Sequence, residues 1–137
     1  SEEDYVAQPW LMIFVNAGTC DAACEERVFY LRQLHITLGK NIERVRRYYL
    51  HADAAPIAAQ TASHFREQYP SMGIAYSSAQ QLQQSLAAKG VDLDLTAEDY
   101  VFFVDPVGNV MMYYDGSHTI EDIKTDLDRL LRHSSLG

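Results

Sequence analysis

The chain has 137 residues, of which 11 are Lys or Arg and 19 are Asp or Glu, so its formal net charge is −8. Its apolar fraction of 47% can fill a hydrophobic core, and its two cysteines are too few for a disulfide-rich scaffold. The composition excludes a disordered chain, and the acidic total argues against nucleic-acid binding. The length predicts one domain spanning residues 1–137.

The predicted elements alternate between strands and helices. Residues 10–15 are apolar throughout, as buried strands of parallel sheets are. Apolar residues then recur at helical spacing over 21–38, and Gly39 follows as a terminator. The later elements are predicted at 44–52 (strand), 57–68 (helix), 72–76 (short strand), 78–90 (helix), 100–104 and 110–114 (strands of a hairpin) and from 119 onward (helix).

This order of elements, βαβ followed by ββα, predicts an α/β thioredoxin-like fold with a central mixed sheet flanked by helices. A helix crosses between the first two strands, so these strands are expected to be parallel. The loop after the carboxyl end of the first strand is then the place where ligands and chemistry collect.

Cys20 and Cys24 lie in this loop and in the first turn of the following helix. Their i, i+4 spacing allows a disulfide or a shared metal, and an inert buried pair is the structural alternative. The helix N-terminus favours the thiolate of Cys20, which is the form that exchanges disulfides and binds soft metals. The negative charges of Asp21, Glu25 and Glu26 oppose that effect. Cys20 is expected to be the more exposed nucleophile and Cys24 the resolving cysteine.

Two histidines are candidates for a further metal ligand beside the cysteines. His51 is placed near the carboxyl end of the second strand, and His118 follows the last hairpin strand, so both are expected at the same sheet edge as Cys20. An exposed loop histidine is the alternative for each. His35 falls on the apolar stripe of the first helix and is expected to be a hydrogen-bonded core residue. Asp99 belongs to an acidic connection that is expected to be solvated.

The segment from Arg27 to Arg47 carries six basic residues against the single acid Glu43, although the chain as a whole is acidic. Such a segment can dock to an anionic membrane surface or to an acidic partner, and a solvated face is the alternative. The candidate docking residues are Arg32, Lys40, Arg44, Arg46 and Arg47.

No targeting segment is recognisable in the sequence. The acidic start at residues 1–5 does not have the pattern of a signal peptide, and no apolar run reaches the ~18 residues of a membrane span. Residues 1–8 are interpreted as the flexible remnant of a linker to a membrane anchor.

Three features resemble the Sco/SenC family: the strand Trp10–Val15, the Cys-x3-Cys pair at Cys20 and Cys24, and the turn that begins with Asp105-Pro106 and reaches Gly108. The resemblance covers most of the chain and implies a thioredoxin-fold copper chaperone or thiol-disulfide reductase of cytochrome c oxidase biogenesis. The family's third copper ligand is a histidine, and the corresponding position here is Ala97, so His51 or His118 would have to replace it.

The resemblance thus implies a protein at the periplasmic face of the bacterial inner membrane that assists cytochrome c oxidase assembly. Its partner would be an oxidase subunit or another assembly factor, and copper is its possible cargo. The chemistry would reside in Cys20 and Cys24. The competing interpretation is a non-catalytic thioredoxin-fold interaction module with a structural disulfide.

Overall fold

The computed structural model describes residues 8–135, in which five strands form one mixed sheet flanked by four helices. The predicted remnant at residues 1–8 lies outside these residues except for Gln8. In chain order the elements are β1 (Trp10–Asn16), α1 (Ala22–Ile36), β2 (Val45–Ala52), α2 (Ala59–Gln68), β3 (Gly73–Ser77), α3 (Ala79–Ala88), β4 (Tyr100–Val104), β5 (Val110–Tyr114) and α4 (Ile120–His133).

The strand order is β3-β2-β1-β4-β5, with β1 at the centre. Strands β2 and β3 run parallel to β1, because α1 and α2 each cross back over the sheet, and β4 is antiparallel to both β1 and β5. This arrangement agrees with the predicted thioredoxin-like topology. In the β1–β2 register Asn16 stands opposite His51, so both residues mark the carboxyl edge of the sheet.

Two hydrophobic cores cover the two faces of the sheet. Helices α1, α2 and α4 pack on one face, where Val28, Phe65 and Leu127 are each no more than 1% exposed. Helix α3 and the connection that follows it cover the other face through Leu86 and Leu95. The return from the edge strand β3 to β4 passes over this second face, which leaves the first face open for α1 and α4 to meet.

The helix starts follow the predicted caps. The Ser78 side chain accepts a hydrogen bond from the backbone N–H of Gln81 at 3.1 Å. Thr119 and Asp122 form a complete capping box, in which each side chain accepts from the other residue's backbone N–H. These local interactions set where α3 and α4 begin.

The end of α1 differs from the prediction. The helix stops at Ile36, and a 3-10 helix at Gly39–Arg44 leads into β2. Gly39 adopts a φ of 57°, which ends the α-helical path and starts the tighter turn. Arg44, which the sequence placed in the strand, therefore belongs to the 3-10 helix.

No helix within residues 8–135 combines the length and apolar character needed to cross a bilayer.

Candidate redox site at the carboxyl end of the sheet

Cys20 and Cys24 form a disulfide beside the carboxyl end of β1. Cys24 is 1% exposed and belongs to the core between α1 and the sheet, whereas Cys20 is only partly buried and packs against that core. The i, i+4 spacing allowed a disulfide, a shared metal or an inert buried pair, and the structure contains the disulfide. Solvent and a partner can therefore approach the sulfur of Cys20, while that of Cys24 is shielded.

Asp21 connects the two cysteines and starts α1. Its Oδ1 accepts a hydrogen bond from the backbone N–H of Cys24 at 2.9 Å, which satisfies one of the free donors of the first helical turn. The helix terminus contributes positive potential to the disulfide. Asp21, Glu25 and Glu26 are exposed around it, and their charges oppose that potential.

A chain of polar side chains lies at the ends of β1, β2 and β4. The hydroxyl of Tyr49 donates to Oδ1 of Asn16 at 2.7 Å, and Nδ2 of Asn16 donates to Oδ1 of Asp99 at 2.8 Å. Tyr49 and Asn16 are buried, and desolvation raises the pKa of the Tyr49 hydroxyl. Asn16 is satisfied on both sides of its amide, which fixes its orientation between the two partners.

The Asp99 carboxyl is the titratable end of this chain and was missed as a site residue by sequence reasoning. Desolvation raises its pKa, the Asn16 hydrogen bond acts in the opposite direction, and the charge of Asp21 raises the pKa further. Through its hydrogen bond to Asn16, Asp99 lies at the carboxyl end of β1, beside which the disulfide is placed. The available clue in the sequence was that Asp99 directly precedes β4, the antiparallel neighbour of β1, which places it at the carboxyl end of β1. An acidic connection by itself predicts only a solvated loop.

Arg27 ties α1 to the loop that precedes α4. Its guanidinium donates to the backbone carbonyls of Asp115 and His118, each at 3.3 Å. A groove of about 400 Å³ runs beside the cysteine turn between the two helices, and it is lined by Ala23, Glu26, Arg27, Tyr30, His118, Thr119 and Ile120.

His51 and His118 both lie at the predicted sheet edge but in different surroundings. His51 is 4% exposed, its Nε2 is 2.8 Å from the carbonyl oxygen of Ala55, and its buried Nδ1 has no hydrogen-bond partner. The His118 side chain is exposed and its Nδ1 lies 3.1 Å from Oδ1 of Asp115.

The donor set for a metal is incomplete in this arrangement. Within residues 8–135, His, Cys, Asp and Glu side chains form no group of three or more that could hold an ion. Neither histidine is thus assembled with Cys20 and Cys24, whose sulfurs are bonded to each other. The assignment of His51 and His118 as ligands stays a prediction.

The five candidate docking residues fall into two groups. Lys40 and Arg46 are exposed. Arg44 donates to the backbone carbonyls of Leu131 and Ser134. Arg47 is only 5% exposed, whereas a docking residue needs an exposed side chain. Arg32 is partly buried and donates to the carbonyl of Gln68. The basic segment is therefore not one continuous surface.

Comparison with known proteins supports the fold. Residues 10–134 match the family described as "Transmembrane-like, thioredoxin-like, C-terminal domain". No curated protein matches the sequence.

Solved structures of low sequence identity share the architecture. ScoI of Arabidopsis thaliana with copper bound superposes with a TM-score of 0.69 at 13% identity, over 93% of this chain and 87% of that chain. Yeast Sco1 with copper bound gives 0.68 at 12% identity, over 92% and 80%. A thiol:disulfide interchange protein DsbE from Chlorobium tepidum gives 0.56 at 15% identity, over 91% and 80%. The predicted Sco-like thioredoxin fold is confirmed.

Proposed function

The chain belongs to the family of transmembrane-like, thioredoxin-like C-terminal domains, and on that premise we propose that it exchanges thiols and disulfides through Cys20 and Cys24. The observation that carries the proposal is the asymmetry of the disulfide: the Cys20 sulfur is approachable and the Cys24 sulfur is shielded. A partner's sulfur can therefore attack or be attacked at one end only, and the other cysteine is held within bonding distance to complete the exchange.

The exchange consists of two substitutions at sulfur. In the reduced protein the Cys20 thiolate attacks a partner's disulfide, which forms a mixed disulfide and releases one partner thiolate. Cys24, after losing its proton, attacks the Cys20 sulfur and expels the second partner thiolate. Two electrons pass to the partner and the Cys20–Cys24 disulfide forms, so an external dithiol reductant is needed to restore the reduced protein.

The likeness to Sco proteins supports a place for this exchange in cytochrome c oxidase assembly. In this proposal the protein works at the periplasmic face of the bacterial inner membrane. It keeps the copper-site cysteines of an oxidase subunit, or those of another assembly factor, reduced. Lys40 and Arg46 are the exposed cations of the basic segment that are available for an acidic partner or an anionic membrane surface.

Trapping of the mixed disulfide tests the exchange. A Cys24→Ser variant retains the attacking sulfur and should accumulate a covalent adduct with a peptide containing a strained disulfide. Cys20→Ser is the matched control and should form none. The wild-type disulfide should equilibrate with glutathione or dithiothreitol buffers. A disulfide that resists these reductants, together with no adduct in Cys24→Ser, would identify an interaction module with a structural disulfide.

Copper handling is the second candidate function, and two observations favour it. The superposed ScoI and yeast Sco1 structures contain copper. The buried Nδ1 of His51 has no hydrogen-bond partner, and an imidazole nitrogen is a suitable third donor beside two thiolates. The ion would be cargo for the reduced protein.

Titration of the reduced protein with Cu(I) against a competing chelator tests this second function. Stoichiometric binding that is lost in Cys20→Ser would support it. A lower affinity in His51→Ala, with unchanged affinity in His118→Ala, would assign the third donor. Absence of binding in the wild type would restrict the protein to thiol chemistry.

A further inference from the structure

A groove of about 400 Å³ lies beside the disulfide, between α1 and the loop that leads into α4, and we term it the α1–α4 groove. Ala23, the residue before Cys24, lines this groove. Arg27 lines it as well and holds its two sides together, because its guanidinium donates to the backbone carbonyls of Asp115 and His118. A partner segment that brings a cysteine to Cys20 therefore has a preformed groove to follow.

The wall of the α1–α4 groove includes exposed apolar surface. Tyr30 is 44% exposed and Ile120 is partly buried, and both residues line the groove. Tyrosines are frequent anchors in protein interfaces, because the ring offers a large and rigid contact area. An apolar partner side chain that packs beside Tyr30 would remove apolar surface of both molecules from water. The groove thus fits an apolar side chain of the partner.

The charged side chains around the groove and the disulfide are mostly carboxylates. Six of them lie in the two segments that flank the groove, residues 21–30 and 115–122: Asp21, Glu25, Glu26, Asp115, Glu121 and Asp122. All of these except Asp115 are exposed. Arg27 is the only Lys or Arg in the two segments, and its guanidinium is engaged with backbone carbonyls. This end of the molecule therefore presents negative charge to a partner.

The same carboxylates oppose the chemistry proposed for Cys20. The attacking form of this cysteine is the thiolate, and neighbouring negative charges disfavour it. Cations carried by the partner would offset these charges at the moment when its sulfur approaches Cys20. A basic partner is thus attracted to this end of the molecule and makes the nucleophile more reactive, whereas an acidic partner is repelled.

We propose that the α1–α4 groove docks a basic, extended segment of the partner, with Lys or Arg next to the reactive cysteine and an apolar side chain packed beside Tyr30. The inference rests on the proposed thiol–disulfide exchange and adds the class of partner that this exchange prefers. The bonds that form and break are those of that exchange. The exposed carboxylates, including Glu26 in the groove itself, determine the specificity for the partner.

Reaction of the reduced Cys24→Ser variant with matched peptides tests the proposal. Each peptide carries one cysteine as a mixed disulfide with mercaptoethanol, next to a leucine and between a pair of lysines, glutamines or glutamates. The rate of adduct formation is divided by the rate of the same peptide with dithiothreitol, which corrects for the intrinsic reactivity of each disulfide. On this scale the lysine peptide should react about tenfold faster than the glutamate peptide at low ionic strength. The preference should shrink at ~1 M salt, where exposed charges are screened.

Two pairs of variants, each introduced beside Cys24→Ser, locate the effect in the groove. Glu26→Gln removes a carboxylate that lines the groove and should reduce the lysine preference about twofold or more. Glu43→Gln, at an exposed residue of the 3-10 helix, is its matched control and should retain the preference. Tyr30→Ser should lower the preference for leucine over serine beside the peptide cysteine. Tyr113→Ser, in which a tyrosine of 46% exposure is lost from β5, should leave that preference unchanged.

The outcomes separate the docking site from the exchange itself. A lysine preference that falls in Glu26→Gln and persists in Glu43→Gln supports the groove, as does a leucine preference that only Tyr30→Ser lowers. Equal relative rates for the lysine and glutamate peptides, or equal effects within each pair of variants, overturn the docking site and leave the proposed exchange intact. Absence of an adduct with all three peptides contradicts the exchange, and the partner assignment fails with it.

Discussion

Asp21 combines two roles at one residue, because its side chain caps α1 and its charge lies next to Cys20. The hydrogen bond to the Cys24 N–H needs only an oxygen acceptor, whereas the electrostatic effect on the thiolate needs the ionised carboxylate. An amide at this position separates the two roles, since asparagine is as good an N-cap as aspartate.

We expect Asp21→Asn to make the Cys20 thiol of the reduced protein more acidic and more reactive. Removal of the neighbouring negative charge favours the thiolate, so alkylation by iodoacetamide below the thiol pKa should be several-fold faster. Asp21→Ala loses the cap as well and should lower the free energy of unfolding by about 1 kcal/mol. Glu43→Gln, at an exposed residue of the 3-10 helix that follows α1, is the control for charge alone. An unchanged alkylation rate in Asp21→Asn would contradict the electrostatic argument.

His35 links pH to stability at the opposite end of α1. Desolvation lowers the pKa of its ring, a hydrogen bond to the Ile42 carbonyl acts against this, and the charge of Arg47 lowers it further. Its Nδ1 accepts from Nε of Arg47, so protonation of this nitrogen would break that bond.

We therefore expect the free energy of unfolding to fall as the pH drops below about 6.5. In this range the unfolded chain binds a proton at His35 that the folded protein does not, so the unfolded state is favoured. Urea unfolding at pH 7.5 and 5.5 should show a smaller pH effect in His35→Gln than in the wild type. His133→Gln replaces an exposed ring and should retain the wild-type pH effect; an equal loss in both variants would exclude His35 as the cause.

Helix α4 shows how local and long-range information combine in an element. Its start is encoded by Thr119 and Asp122, and its buried face by Ile123, Leu127 and Leu131, each no more than 2% exposed. Both features are readable from the sequence, because capping and helical periodicity act within a few residues.

Loss of the Thr119 cap should lower the free energy of unfolding by about 1 kcal/mol. Thr119→Ala removes the acceptor for the Asp122 N–H, whereas Thr119→Ser keeps it and should be nearly neutral. Urea unfolding of both variants measures the difference. Equal stability of Thr119→Ala and the wild type would show that water or a neighbouring group replaces the cap.

The elements that escaped prediction depend on distant partners. Gly39 indicated the end of α1 but not the 3-10 helix that follows. Asp99 reads as one of several acids in a connection, and only its contact with Asn16, 83 positions away in the sequence, makes it part of the site. His51 was placed at the correct edge by topology, yet its burial follows from the packing of β2, which periodicity alone does not fix.

At the scale of the whole molecule, the net charge of −8 conceals an uneven distribution of charge along α1. The disulfide and Asp99 lie at the carboxyl end of the sheet, and Arg32 and Arg47 lie at the other end. The sequence predicted the basic segment but assigned it to an open surface. Direct burial of Arg47 against α1 could not be predicted, because the charge of a residue does not reveal which face of the sheet it occupies.

Reduction of the disulfide should destabilise the domain by about 2 kcal/mol, the chain-entropy value for a loop of this length. The loop joins only residues 20–24, so the effect is modest for a crosslink and leaves both oxidation states folded. Urea unfolding with and without dithiothreitol measures it. A Cys20→Ala, Cys24→Ala double variant should show no response to the reductant. Complete unfolding on reduction would mean that the disulfide is structural.

The length of α1 sets a clearance between the two ends of the molecule. Arg32 follows Cys24 by eight residues, which corresponds to a rise of about 12 Å along the helix. A partner that covers the disulfide therefore leaves the Arg32 end of the helix uncovered unless it extends at least that far along α1.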